Sequence, residues 1–317
     1  MVDSKQQWKA WLYLAPAIVL LLVFTVYPII NTVRMAFTDD YTMLAELGGE
    51  TFSFGVKNFQ KVVKFQDFTQ CLKNTLLLCV LTVPISTFLA LLIAVALNSI
   101  KPLQRTLQTI FFIPYVTNSI AIGMVFAAMF NIIGNLTGEA GSTLITSHGI
   151  INNLLQFLFN DKEFYINWIN GGSSYAANIA VMTIYIVWNA LPFKILILLG
   201  GLQSVNKQYY DAAKVDGTRR TRVFWRITVP LLSPMLAYVI ITGFIGGFKE
   251  YTSIVGVFGE SMGPVGDADK LNTMVGYIYD NIGNKEGRAS AAALILFGII
   301  FLVTMLNLYV SKKKVHY

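Results

Sequence analysis

Apolar residues in this chain fall in long uninterrupted blocks, separated by short charged stretches. Six uncharged runs stand out: Ala10 to Val33, Asn74 to Ile100, Thr106 to Gly138, Phe164 to Phe193, Ile227 to Phe248 and Ala289 to Ser311. A helix rising about 1.5 Å per residue needs roughly 20 apolar residues to cross a hydrocarbon core about 30 Å thick. Each run reaches that length, and the longer ones carry loop residues at their ends. The pattern predicts an all-α polytopic membrane protein with six transmembrane helices, organised as a single transmembrane domain over residues 1–317. The spans are expected at about 11–36, 73–99, 106–133, 176–202, 231–256 and 289–311. Pro16, Pro28, Pro84, Pro114 and Pro192 lie in or beside them, and packed membrane helices tolerate proline because neighbouring groups satisfy the freed carbonyls. The first run is too long for a signal peptide and ends in no small-residue cleavage site, so it is kept as a helix.

The connections 38–72, 134–175 and 259–288 are polar and rich in Gly and Asn turn signals, and are expected on the outer side. Within them Ile150 to Phe159 (IINNLLQFLF) is apolar but too short to span, and reads as an interfacial or lid helix. With the N-terminus inside, thirteen Lys and Arg residues fall in inner segments and eight in outer loops. The inner loops are also much shorter. The positive-inside rule then places both termini in the cytoplasm. No solenoid-length repeat is seen.

Composition narrows the class. Hydrophobic residues make up 55% and charged residues 13%, about half the roughly 25% charge of soluble domains. The net charge of +7 sits beside apolar runs, which fits topology and lipid contact better than nucleic-acid binding. Cys71 and Cys79 lie at or inside an apolar stretch, and His148 and His316 are far apart. They form no metal-ligand spacing, and buried thiols are the simpler reading. No glycine-rich turn ends in Gly-Lys-Ser or Gly-Lys-Thr, so the chain carries no phosphate-binding loop. No catalytic residues emerge, since no nucleophile–base pair or paired carboxylates appear within the spans.

The most informative inner segment is Gln203 to Pro234, with the coupling loop at 204–230 and YYDAAKVDGTRRTRVFWRITVPLLSP at its core. Physically this is a helix, a glycine break and a second helix. Asp216-Gly217 is a helix stop, because Gly accepts positive φ. Thr218 is a candidate cap for the arginine-rich helix that follows. Val223, Phe224, Ile227 and Leu231 give that helix an apolar side. A basic loop that only fixes topology has the same composition.

The order of residues separates the two readings. The segment resembles the EAA motif of ABC-importer permeases, whose usual pattern is Glu-Ala-Ala, then Asp-Gly-Ala, Phe, Ile and paired prolines. Asp211, Ala212, Ala213, Asp216, Gly217, Phe224, Ile227, Pro230 and Pro234 match it. Asp211 stands for the usual Glu and Thr218 for Ala. The first span (LAPAIVLLLVFTVYPIINTVRMAF), Ile120 to Phe130, Val187 to Val205 and the tail MVGYIYDNIGNKEGRASAAALILF are similar to the carbohydrate branch of that family.

The resemblance implies a type I importer permease of the bacterial cytoplasmic membrane. Its partners would be a second permease, two copies of an ATP-binding subunit that holds ATP and Mg, and an extracytoplasmic binding protein that delivers the sugar. The chain itself would need no cofactor. Asp211, Ala212, Ala213, Asp216 and Gly217 would form the coupling helix resting in the ATPase. For the sugar the resemblance points first to Phe193, Phe248, Lys249 and Thr252. Trp188, Asn189, Glu250 and Tyr251 stand beside them, in the two polar clusters of the fourth and fifth spans. Aromatic faces would stack on the sugar ring and polar tips would bond its hydroxyls.

Simpler readings accompany these. Lys194, Lys249 and Glu250 are candidates for an interhelical ion pair. Asn118, Ser119 and Asn131 are candidates for helix glue, and Gly243, Gly246 and Gly247 for close helix packing. An ion-coupled secondary transporter is the alternative function, although Glu250 is the one plausible intramembrane carboxylate and no repeated halves are seen. Substrate identity is not written in the chain; a neutral oligosaccharide is expected, with an anionic sugar permitted by nearby lysines.

Overall fold

The computed structural model describes residues 7–100, 104–136 and 143–314. The chain divides into two compact units. One holds residues up to Thr69 together with Gly276–Gly298, and the other holds Gln70–Val275 with the residues from Ile299 onward.

The first unit begins with α1 (Gln7–Leu21), a π-helical turn (Leu22–Val26) and α2 (Tyr27–Ala36). Together they form an apolar stretch, Trp8–Ala36, of mean hydropathy 2.3 with none of its most apolar window buried. An apolar helix whose most apolar window is left unburied suits lipid or a partner subunit, not water. Two short helices follow, α3 (Met43–Leu47) and α4 (Lys57–Lys64). Asn58, fully buried on α4, donates to the carbonyls of Ala36 at 3.2 Å and Thr38 at 2.7 Å. It thereby satisfies acceptors that the end of α2 leaves open. Arg34 bonds Glu46 at 2.7 Å, and Tyr41 donates to the same carboxylate. Lys61 bonds Asp40 and holds its carboxyl below the usual range.

The second unit is built on α5 (Gln66–Ser99), α6 (Gln104–Val116), α7 (Ser119–Phe130), α8 (Gly149–Phe159) and α9 (Tyr175–Ser204). After these come α10 (Lys207–Val215), α11 (Arg220–Val223), a π-helical turn (Phe224–Thr228), α12 (Val229–Leu231), α13 (Ser233–Phe248) and α14 (Thr252–Phe258). α15 (Met274–Asn281) and α16 (Glu286–Lys314) follow, and both are divided between the two units: Gly276–Asn281 and Glu286–Gly298 belong to the first. Two cores hold the second unit. Leu78, Ile122, Met182, Tyr185 and Ile254 centre one; Leu91, Leu198, Leu199, Leu232 and Val239 centre the other. α7 crosses α14 so closely that a Cβ on Gly123 would lie 2.6 Å from the Gly256 Cα.

The architecture is helical, with one antiparallel hairpin, β1 (Ile133–Leu136) and β2 (Thr143–Ser147), in the stretch read as an outer loop. The helix read at 150–159 is present as α8. Among the described residues, four helices are long and apolar enough to span: Trp8–Ala36, Gln66–Ser99, Tyr175–Ser204 and Glu286–Lys312. A fifth is the pair Arg220–Leu231 and Ser233–Phe248, bent by 70°.

The third expected span, 106–133, is not one helix. It is α6 and α7, of 13 and 12 residues, and neither reaches spanning length alone. Asn118 makes the break: it is extended (φ −60°, ψ 124°) and its Oδ1 accepts from Ile120 N at 2.8 Å. An Asn side chain that bonds its own downstream backbone competes with the helix and starts a new one. The fifth span has a second break at Lys249–Tyr251, before α14.

Candidate functional site

α5, α6, α9 and α13 enclose a cavity of about 280 Å³. α5 supplies Thr82, Val83 and Ser86, α6 supplies Tyr115, and α9 supplies Ile186, Asn189, Ala190, Phe193 and Lys194. α13 supplies Thr242, Gly243, Gly246 and Gly247, and Glu250 closes one side from the break that follows. The glycines let α13 approach. A Cβ on Gly243 would lie 3.1 Å from Val83 Cγ1 and 3.2 Å from Lys194 Nζ, and one on Gly247 would lie 2.9 Å from Cys79 Sγ. Close packing is thus what Gly243 and Gly247 do, whereas a Cβ on Gly246 would meet nothing within 4 Å.

Lys194 is 4% exposed. Its Nζ donates to Ser86 Oγ at 2.7 Å, Thr87 Oγ1 at 2.9 Å and the Val83 carbonyl at 3.3 Å. An ammonium has three N–H donors, and one turn of α5 takes all three. Among the described residues neither Lys194, Lys249 nor Glu250 makes an ion pair, so the interhelical pair considered above is not formed. Glu250 instead accepts from Ser253 N at 3.2 Å at the start of α14, while its carbonyl accepts from Thr273 Oγ1 at 2.8 Å. Phe193 stacks on Tyr115 with ring centroids 5.9 Å apart and planes 19° apart, giving one wall an aromatic face.

Of the eight residues expected around a ligand, the cavity gathers Asn189, Phe193 and Glu250. Phe248 is 2% exposed and does not line it. Lys249 and Thr252 are exposed on either side of the α13–α14 break, and Tyr251 packs against the first core. Trp188 is 37% exposed and leans on Phe126, with centroids 5.4 Å apart. Ser119 bonds Tyr185 Oη at 2.9 Å and Asn131 Oδ1 accepts from Asn170 Nδ2 at 2.6 Å, so both tie segments together. The sequence reading missed Thr82, Ser86, Tyr115 and Thr242. The signal for the first two was there: hydroxyls at one-turn spacing about Pro84 inside an apolar run.

The segment after α9 is ordered by its own backbone. Asn206 caps α10, its Oδ1 accepting from Gln208 N at 3.0 Å. At the other end Gly217 has φ +63°. Gly217 N donates to Lys214 O at 3.1 Å, and Thr218 N donates to Ala213 O at 3.0 Å. These are the paired bonds of a Schellman stop, which needs a left-handed residue at Gly217. A Cβ there would meet nothing within 4 Å, so handedness is what the position demands, not smallness. Thr218 does not cap the next helix. Arg219 takes that place with no side-chain cap bond.

Asp211, Ala212 and Asp216 are exposed, as are Tyr209, Val215 and Trp225, while Ala213 faces inward at 5% exposure. Asp211 lies 3.6 Å from Lys214. Tyr210 Oη bonds Thr228 Oγ1 at 3.4 Å, joining α10 to the π-helical turn.

The family described as binding-protein-dependent transport system inner membrane component matches residues 83–316. The arabinooligosaccharides transport system permease protein AraP of Bacillus subtilis (strain 168) is 30% identical over 305 residues, covering 95% of this chain and 88% of that protein. The lactose transport system permease protein LacF of Rhizobium radiobacter is 28% identical, covering 94% and 91%. Among solved structures, a bacterial ABC transporter involved in the import of the acidic polysaccharide alginate superposes with a TM-score of 0.75. That match has 19% identity and covers 98% of this chain and 96% of the other.

Proposed function

Because the chain belongs to the family of binding-protein-dependent transport system inner membrane components, we propose that it is the permease subunit of an ABC importer carrying an oligosaccharide inward. The observation that carries the mechanism is α10: a short, locally locked helix on a membrane chain, with Asp211, Ala212 and Asp216 exposed ahead of a left-handed glycine. In this reading α10 rests in a separate ATP-binding subunit, which holds ATP and Mg. The small Ala212 permits close approach, and the carboxylates of Asp211 and Asp216 meet basic groups there. Ala213 seats the helix on its own protein. Gly217 redirects the chain into Arg220–Leu231, and the Tyr210–Thr228 bond passes displacement of α10 toward α13. This is force transmission, with no bond-making on the chain itself.

The cavity is the proposed sugar site. The stacked Phe193 and Tyr115 offer a face for the apolar side of a pyranose. Asn189, Thr242 and Glu250 offer hydrogen bonds to its hydroxyls, and Lys194 stiffens the α5–α9 wall. Phe248 supports that wall from inside the core, and Lys249, Tyr251 and Thr252 shape its break. Trp188 stands one residue before Asn189 on α9 and holds the helix face through Phe126. The oligosaccharide class is supported by the AraP and LacF names among the relatives. A second permease completes the path, two ATP-binding subunits drive it, and an extracytoplasmic binding protein delivers substrate. Both termini lie in the cytoplasm, supported by the excess of Lys and Arg in the inner segments.

The test is reconstitution of the assembled complex in liposomes, with an Ala212→Cys variant and a single cysteine in the ATPase cleft. ATP-dependent sugar uptake and a cross-link that blocks it are expected. Uptake by this chain alone under an ion gradient would sink the proposal.

A further inference from the structure

A second cavity, of about 360 Å³, lies away from the proposed sugar site. Its body is apolar: Val229, Leu236, Ala237, Ile240 and Ile241 from α12 and α13, with Val310 from α16. Ser233, Asn307 and Ser311 add three polar side chains. The groove therefore joins the first turns of α13 to the last turns of α16. Basic residues flank its lining in sequence, before Val229 on the helix that leads into α13 and after Ser311 on α16. Arg226 is exposed and stands one turn before Val229 and Pro230 on the same helix. Lys312, exposed, follows Ser311 directly, and the sequence continues with Lys313 and Lys314. Trp225 is 59% exposed beside Arg226, the residue type enriched where hydrocarbon meets headgroups.

An apolar trough with hydroxyls and an amide along it, and cations past its end, has the polarity profile of a phospholipid. We infer that this groove binds a phospholipid with an anionic headgroup. One acyl chain lies along Leu236, Ile240 and Ile241. Ser311 and the second amide hydrogen of Asn307, whose Nδ2 already donates to Val303 O at 2.9 Å, donate to its ester and phosphate oxygens, and Arg226 and Lys312 pair with the headgroup charge. Charge complementarity selects this occupant: a second protein helix would not require cations at the groove's end, and a zwitterionic lipid would gain little from them. The inference stands apart from the identity of the transported substrate.

The test uses the assembled transporter purified from membranes of mixed phosphatidylglycerol and phosphatidylcholine, with retained lipid counted by native mass spectrometry. The wild type is expected to retain phosphatidylglycerol selectively. Removing two surface cations in Arg226→Gln/Lys312→Gln should lower its affinity about tenfold or more, and filling the trough in Ala237→Phe should release both lipids. If Ala237→Phe fails to assemble, the charge variant alone decides, since both its sites are exposed. Equal retention of the two lipids by the wild type would overturn the inference. So would unchanged phosphatidylglycerol affinity in the charge variant, or a cross-link from Ala237→Cys to the second permease showing that protein fills the groove.

Discussion

The proposed coupling segment and the proposed sugar cavity meet opposite physical demands within one unit. α10 is held by its own ends: Asn206 caps one and the Gly217 stop closes the other, with bonds spanning no more than five residues. The cavity is held by groups far apart in sequence, such as Lys194 with Ser86 and Thr87 and Gly247 against Cys79. A segment proposed as a lever must keep its shape while its surroundings change, so local bonds suit that role. A binding wall must keep distances between helices, and only long-range packing does that.

Substitutions sharpen this contrast, and the largest effect belongs to packing. Gly247→Leu forces side-chain atoms into Cys79 and should cost about 3 kcal/mol or more, seen as a lost folded yield in detergent by size-exclusion chromatography. A normal yield would mean that α13 does not need to approach α5. Gly217→Val comes next. Its cost should be about 1–2 kcal/mol, the strain of a left-handed L-residue, so the chain still inserts and assembles. ATP hydrolysis stimulated by the loaded binding protein should fall severely, because the helix axis is redirected. Full stimulation in that variant would remove the lever role.

Lys194→Met should be milder, about 1 kcal/mol in thermal stability. Ser86 and Thr87 already donate to the Thr82 and Val83 carbonyls at 2.5 and 2.7 Å, so losing the ammonium strands no hydroxyl. A collapse of folding would show that the ammonium is indispensable to the α5–α9 contact. Smallest of all is Asp211→Asn, which breaks an exposed pair with Lys214 worth about 0.5 kcal/mol or less. Stability should hardly move, while the affinity of purified ATPase for the permease drops measurably. Equal loss of both would mean that Asp211 works inside α10 and not across to a partner.

The same contrast explains what could be read from sequence. Asp216-Gly217 after a helix-compatible run specifies its own stop, and the EAA resemblance covers it, so the end of α10 was legible, while its Asn206 cap was not read. The long apolar blocks marked where the apolar helices lie. They did not mark where those spans break, because hydropathy averaged over many residues is blind to one Asn118 that prefers its own cap, or to the turn at Lys249–Tyr251. The cavity was half legible. Polar residues on α9 and near Glu250 drew attention, whereas Ser86 and Thr82 acquire meaning only once α9 is known to lie against α5. Phe248 was expected in the site on family likeness and is buried in the core instead, a difference of side-chain direction that no linear pattern carries.

The open space around Gly217 has a stereochemical consequence. Positive φ is strained for an L-residue and relaxed for its mirror image. Placing D-alanine there by semisynthesis should preserve the turn and even stabilise it, by shrinking the unfolded ensemble. L-alanine, with identical atoms, should weaken it. Chirality alone would then switch the lever.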